Sequence, residues 1–156
     1  MTTELKRILL ADDSPRDTEL TLDALAQNNL ANEVVTVRDG AEALDYLYRR
    51  GPYADRTAGN PAVVLLDLKM PKVDGIDVLR QIKSDPQLKI IPVVVLTSSC
   101  EEQDLVNSYE LGANAYIVKP VGFKEFVESV KQVGAFWAIF NEPPPGSVRS
   151  FRPKIP

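Results

Sequence analysis

Residues 63–71 read VVLLDLKMP. Four apolar residues run straight into Asp67, and Pro71 follows shortly after. A carboxylate at the end of such a run is costly. An unpaired charge removed from water loses several kcal/mol or takes up a proton instead. Whatever compensates Asp67 must come from elsewhere in the chain.

Four further apolar runs punctuate the sequence, at 8–11, 34–37, 93–96 and 116–118. Most are β-branched and continuous rather than alternating, which suits strands buried on both faces and hence a parallel sheet. Helical patterns lie between them. After DSPRD at 13–17, Ser14 is placed to cap, Pro15 to open a helix, and Asp17 to act as the acid of a capping box. A second helix fits 40–50, with Ala43, Leu44 and Leu47 inward. A third opens at Asp74-Gly75, carries Ile76, Leu79 and Ile82 on one face, and stops before Pro86. A fourth is predicted to start near Ser99, with Glu102 as its capping partner, and to end at Gly112. The fifth spans 122–140, with Phe123, Phe126, Val127, Val130, Val133, Trp137 and Phe140 as its inward stripe.

Strand and helix therefore alternate through five units. With right-handed crossovers this predicts an α/β, doubly wound (βα)5 fold of the flavodoxin-like kind: a five-stranded parallel sheet, order 2-1-3-4-5, with helices on both faces. One domain over 1–141, with a core at about 6–135, is expected to precede a Pro-rich tail at 142–156 that is extended and solvated. The stretch 50–61 makes a long loop after the second helix.

Composition narrows the function. The chain has 156 residues and a net charge of −4, without the basic footprint of a nucleic-acid binder. No apolar run approaches the roughly 18 residues a membrane helix needs, and the acidic N-terminus does not read as a signal peptide. The single cysteine, Cys100, forms no internal disulfide; it reads as a buried, inert thiol in a reducing, cytoplasmic setting. Histidine is absent, which excludes a Ser-His-Asp triad and any histidine-ligated zinc or iron site within this chain.

In open α/β sheets, ligands sit at the carboxyl ends of the strands. Here those ends carry Asp12 and Asp13, then Asp67, then Thr97 with Ser98 and Ser99, then Lys119 with Pro120. If the first, third and fourth strands are neighbours, three carboxylates converge. Two like charges about 4 Å apart repel by roughly 4 kcal/mol at an effective dielectric of about 20, so one acid holds a proton or a cation enters. Oxygen donors without histidine or cysteine favour a hard ion such as Mg²⁺. Lys119 adds a second positive charge. Asp13 or Asp17 taken singly reads better as a helix cap; the whole set does not.

LLADDSP, VVLLDLKMPKVDG, VVVLTSS and GANAYIVKP together resemble the receiver domain of bacterial two-component response regulators, over about 6–135. The resemblance implies a phosphorylatable, non-enzymatic switch that catalyses only its own phosphorylation and dephosphorylation. Asp67 would accept the phosphoryl group. Asp13 would bind Mg²⁺ directly, Asp12 more through water, and the main-chain carbonyl of Lys69 would complete the site. Thr97 would be the switch hydroxyl, Lys119 the phosphoryl-pairing lysine and Tyr116 the aromatic coupled to Thr97. The Lys119–Pro120 bond would be cis. Lys69 and Ser99 would flank the path of the hydrolytic water.

DSPRD, NEVVTVRDGAEALDYL, the loop at 50–61, SYELGANAYIVKPV and the FW pair at 136–137 are similar, more narrowly, to single-domain regulators associated with bacterial phytochromes. That likeness implies a histidine kinase or phosphotransfer protein as partner, among them a bacteriophytochrome, and output through the fourth helix, fifth strand and fifth helix. It also implies a homodimer through the last helix, where Phe136, Trp137, Ile139 and Phe140 supply apolar surface. Two other readings compete: a phosphate-independent interaction module on the same fold, and a phosphatase or flavin protein. The intact acidic set opposes the first, and the lack of a Gly-rich phosphate loop and of histidine opposes the second.

Overall fold

The structure is a computed structural model and describes residues 2–56 and 59–153. Twelve elements follow in order: β1 (Thr2–Lys6), β2 (Ile8–Ala11), α1 (Pro15–Ala26), β3 (Val34–Val37), α2 (Gly40–Tyr48), β4 (Val63–Leu66), α3 (Gly75–Ser84), β5 (Val93–Thr97), α4 (Glu102–Glu110), β6 (Ala115–Val118), α5 (Phe123–Ala135) and β7 (Arg149–Pro153). Five strands form one parallel sheet in the order β3-β2-β4-β5-β6. Counting only these five, the order is 2-1-3-4-5, as the alternation predicts.

The continuous apolar runs are explained by helices on both faces. In β2, Leu9 and Ala11 join Val64, Leu66, Val93 and Val95 beneath α2 and α3. Ile8 and Leu10 join Val63, Leu65, Val94 and Leu96 on the opposite face, beneath α1 and α5. Every residue of β2 and β4 is buried. Three helix starts are capped by side chains: Ser14 Oγ accepts from Asp17 N, as expected, Asp74 Oδ1 accepts from Asp77 N at the expected opening of α3, and Asp39 Oδ1, a cap not among the sequence expectations, accepts from Glu42 N.

Several expectations are corrected. α4 starts at Glu102, not near Ser99, because Ser99 Oγ is engaged by Asp104 and Glu101 takes the cap position without a side-chain bond. The fifth helix loses α geometry after Ala135 and continues as a π turn over Phe136–Phe140, closed by Asn141 N donating to Phe136 O. Phe123 and Phe140 are not inward: they are 62% and 78% exposed, Phe123 as the first residue of α5 and Phe140 as the last of the π turn. Cys100 is exposed, in the loop before α4.

The tail is extended but paired. β7 runs antiparallel to β1, and Val148 and Gly146 exchange backbone hydrogen bonds with Arg7 and Asn60. Lys6 Nζ donates to Ile139 O at 2.9 Å, joining this ribbon to the π turn. The sequence hides this pairing because neither segment has an apolar period. In the long loop, the Arg56 guanidinium lies 4.2 Å from the Tyr46 ring centre and donates to Tyr46 O and Gly59 O. Residues 57, 58 and 154–156 of the expected loop and tail lie outside the described residues. Among the described residues no helix is long and apolar enough to cross a membrane.

Candidate functional site

Sheet register assembles the site. Ala11 stands opposite Leu66, so the next residues, Asp12 and Asp67, leave neighbouring strands side by side. Thr97 stands opposite Val118, so Lys119 follows immediately beside it. Asp12, Asp67, Thr97 and Lys119 are all buried, while Asp13 is exposed at the rim.

Lys119 is the hub. Its Nζ donates to Asp12 Oδ2 at 2.7 Å, Asp17 Oδ2 at 2.9 Å and Asp67 Oδ2 at 3.0 Å. Burial pulls the ammonium pKa down, but the hydrogen bonds and charges of Asp12, Asp17 and Asp67 outweigh it, and the net shift is upward. The lysine therefore stays charged at neutral pH. Asp12 moves up from its ordinary value: burial is the main cause, the Asp67 charge adds to it, and hydrogen bonds from Lys119 and Ser14 N oppose it. These contacts answer the question posed by VVLLDLKMP. One lysine offsets Asp67 within the protein.

One ammonium cannot offset every acid around it. Asp12, Asp13 and Asp67 each present an oxygen within 4.8 Å of the others. This all-oxygen, carboxylate-rich set, open on the Asp13 side, fits a hard divalent cation. The remaining oxygen of Asp12, Oδ1, is fixed by Ser14 N at 2.9 Å, and Asp67 Oδ1 accepts from Lys69 N at 3.3 Å. Thr97 Oγ1 accepts from Ser99 N at 3.3 Å, and Tyr116, half-buried, donates its hydroxyl to Ser99 O at 2.9 Å.

One sequence expectation fails here. Among the described residues every peptide bond is trans, so the Lys119–Pro120 bond is not cis. Trans is the lower-energy isomer by about 0.5–1 kcal/mol even before proline, and Lys119 N is already fixed by Thr97 O at 2.7 Å. Asp17 is also reassigned. It sits at the capping-box position of α1, yet its carboxylate turns to Lys119, because α1 starts at the same end of the sheet where the strands finish. That shared end is the signal that could have placed it in the site.

Gly75 sets how closely α3 approaches Asp67. A Cβ there would lie 2.2 Å from Asp67 O and 2.5 Å from Leu68 Cα, and Gly75 N donates to Leu68 O at 2.8 Å. Gly75→Ala should therefore cost about 2–3 kcal/mol by overpacking against backbone. Urea unfolding reads this directly; an unchanged midpoint would mean that α3 can back away freely.

A family model described as the response regulator receiver domain matches residues 8–131. The chain is 41% identical to response regulator Rcp1 of Synechocystis sp., over 85% of this chain and 88% of that protein. The Mn²⁺-bound form of response regulator Rcp1 superposes with a TM-score of 0.83 at 40% identity, covering 89% and 99% of the two chains. The phosphorylated cyanobacterial phytochrome response regulator RcpA gives 0.79 at 47% identity, covering 85% and 93%. The bacteriophytochrome response regulator RtBRR gives 0.72 at 63% identity, covering 92% and 86%.

Proposed function

Because this chain belongs to the response regulator receiver family, we propose that it is a phosphorylation switch of a two-component system, with Asp67 as the phosphoryl acceptor and Mg²⁺ as cofactor. One observation carries this reading. Lys119 Nζ bridges Asp67 and Asp12 at the strand ends while Asp13 keeps an oxygen within 4.8 Å of both acids. The likeness to a phosphorylated regulator and to one holding Mn²⁺ supports it.

The metal would be held by Asp13, Asp67 and the main-chain carbonyl of Lys69, with Asp12 acting through water. It would supply positive charge to the phosphoryl oxygens. The chain's own residues do the rest. A carboxylate oxygen of Asp67 attacks phosphorus as the nitrogen–phosphorus bond of a partner's phosphohistidine breaks; the imidazole leaves with the electron pair. The acceptor chain needs no histidine of its own. Lys119 neutralises the oxygens it faces, and the buried walls keep Asp67 oriented. Thr97 then gives up Ser99 N and turns its hydroxyl to the phosphoryl group, and Tyr116 follows through Ser99. Output leaves by α4, β6 and α5, where Val106, Tyr109 and Val118 are exposed.

The kinase partner is a cytoplasmic histidine kinase or phosphotransfer protein, a bacteriophytochrome among the candidates given the relatives. The receiver occupies 1–141, followed by the 142–156 tail. A homodimer forms through the last helix, where Phe136 and Phe140 are exposed while Trp137 and Ile139 pack partly against the core.

The test is phosphotransfer. A radiolabelled histidine kinase mixed with this chain and Mg²⁺ should lose its label to the regulator within minutes, and chelation should stop the transfer. If no kinase in a panel that includes bacteriophytochromes transfers label, and phosphoramidate also fails, the switch reading is wrong.

A further inference from the structure

Two side chains beside Asp67 meet on one carboxylate oxygen that the function above does not use. Asp104, in the first turn of α4, accepts from Ser99 Oγ through Oδ2 at 2.6 Å. The same oxygen lies 3.9 Å from Lys69 Nζ. Asp104 is only 16% exposed, whereas the Lys69 side chain is 68% exposed and free to swing. Lys69 and Asp104 also share a cleft with Asp13 and Asp74. This cleft is the solvent side of the acid cluster. Meanwhile Lys69 N already donates to Asp67 Oδ1, so its side chain starts next to the reacting group.

Ser99 ties this pair to the switch residues. Its N–H bonds Thr97 Oγ1, its carbonyl accepts from Tyr116, and its hydroxyl holds Asp104. α4 has little else to fix it. Its N-cap makes no side-chain bond, and Ser108 is its one buried residue, with a hydroxyl that has no partner. Leu105, Val106 and Tyr109 on the same helix are exposed.

We propose that Asp104 is a positioning residue for the phosphorylation site: one carboxylate holds the Lys69 ammonium away from Asp67 and seats the first turn of α4 against Ser99. The proposal rests on Asp67 as acceptor. In the resting protein Lys69 is drawn to Asp104. Once Asp67 carries a phosphoryl group, a dianion competes for the same ammonium. Lys69 then leaves Asp104 and lies across the cleft through which water approaches. Hydrolysis needs that water: its oxygen bonds to phosphorus, the bond from phosphorus to the Asp67 oxygen breaks, and the electron pair returns to the carboxylate. Inorganic phosphate leaves and a proton passes to solvent. Lys69 on the phosphoryl oxygens slows this step, and Asp104 limits how often Lys69 is there.

Asp104→Asn removes the charge that attracts Lys69 but keeps an oxygen for Ser99. It should lengthen the life of the phosphorylated state about two- to fivefold, the range that one exposed ion pair supports. The experiment loads wild type, Asp104→Asn, Lys69→Met and the double variant with phosphoramidate and Mg²⁺, removes the donor, and follows bound phosphate. In the Lys69→Met background the Asn substitution should change nothing. A merely structural role for Asp104 would shift both backgrounds alike. Equal lifetimes for wild type and Asp104→Asn, or the same shift with and without Lys69, overturn the proposal. If wild type takes up no phosphate, or Asp67→Asn takes up as much, the assignment of Asp67 falls instead and takes this one with it.

Discussion

Asp67→Asn should abolish phosphate incorporation from phosphoramidate, by about 100-fold or more, while leaving the fold intact. The carboxylate is the nucleophile, and an amide of the same size has no comparable lone pair to offer phosphorus. Lys119 Nζ now donates to Oδ2 and Lys69 N to Oδ1; asparagine keeps one acceptor oxygen, which can face Lys119 while the longer, 3.3 Å bond from Lys69 N is given up. One negative charge leaves a cluster in which Asp12, Asp13 and Asp67 oxygens lie within 4.8 Å. The relief of repulsion and the lost attraction to Lys119 are both of order a few kcal/mol at that separation, so they nearly cancel. Stability should therefore stay close to wild type. Intact-mass spectrometry after donor treatment checks the first half and urea unfolding the second. Equal modification of the Asn variant would move the acceptor elsewhere, with the rim residue Asp13 the first candidate.

Most of the sheet and the heart of the site were legible because both follow from strand ends. Continuous β-branched runs marked the strands. Once the order places β2, β4, β5 and β6 side by side, Asp12, Asp67, Thr97 and Lys119 must meet, since each is the last residue of a strand or the first beyond one. What escaped depends on side-chain choice rather than chain direction. Asp17 satisfies a capping pattern equally well whether it bonds backbone or Lys119, and only three-dimensional proximity decides for Lys119. Ser99 and Glu102 have capping-box spacing, yet Asp104 captures the serine hydroxyl and the helix begins two residues later than the pattern suggests. The β1–β7 ribbon gave no signal because TTELK and RSFRP lack the apolar run that marks the strands of the parallel sheet. Phe123 and Phe140 obey the helical period yet face solvent, because a period defines a stripe but not which of its positions other elements cover.

Lys119→Met should be the most destabilising single change in the site, at about 3–5 kcal/mol without divalent metal, since it strands buried carboxylates that have lost their cation. Lys119 and Asp12 are 5% and 1% exposed at their side chains, and Asp67 only 9%, so water cannot replace the lost partner. Asp12 limits the damage. Burial already raises its pKa, and a proton taken up there removes one charge at about 1.4 kcal/mol per pH unit. The sign of the lysine's contribution is equally clear. Its pKa lies above the ordinary value, so its stabilisation is complete below that ordinary value, through the whole neutral range, and fades only as pH climbs past the raised one. Added Mg²⁺ should narrow the gap between variant and wild type, because a cation that binds only the folded state stabilises it by mass action, and it does so most where three uncompensated acids remain. Asp17→Asn provides the contrast: Asp17 is 28% exposed and leaves Lys119 two other partners, so a loss under about 1 kcal/mol is expected. Urea unfolding of the three proteins, each with chelator and with Mg²⁺, separates these effects. A Lys119→Met protein as stable as wild type in chelator would mean that something other than this lysine compensates the acid at the end of the greasy strand.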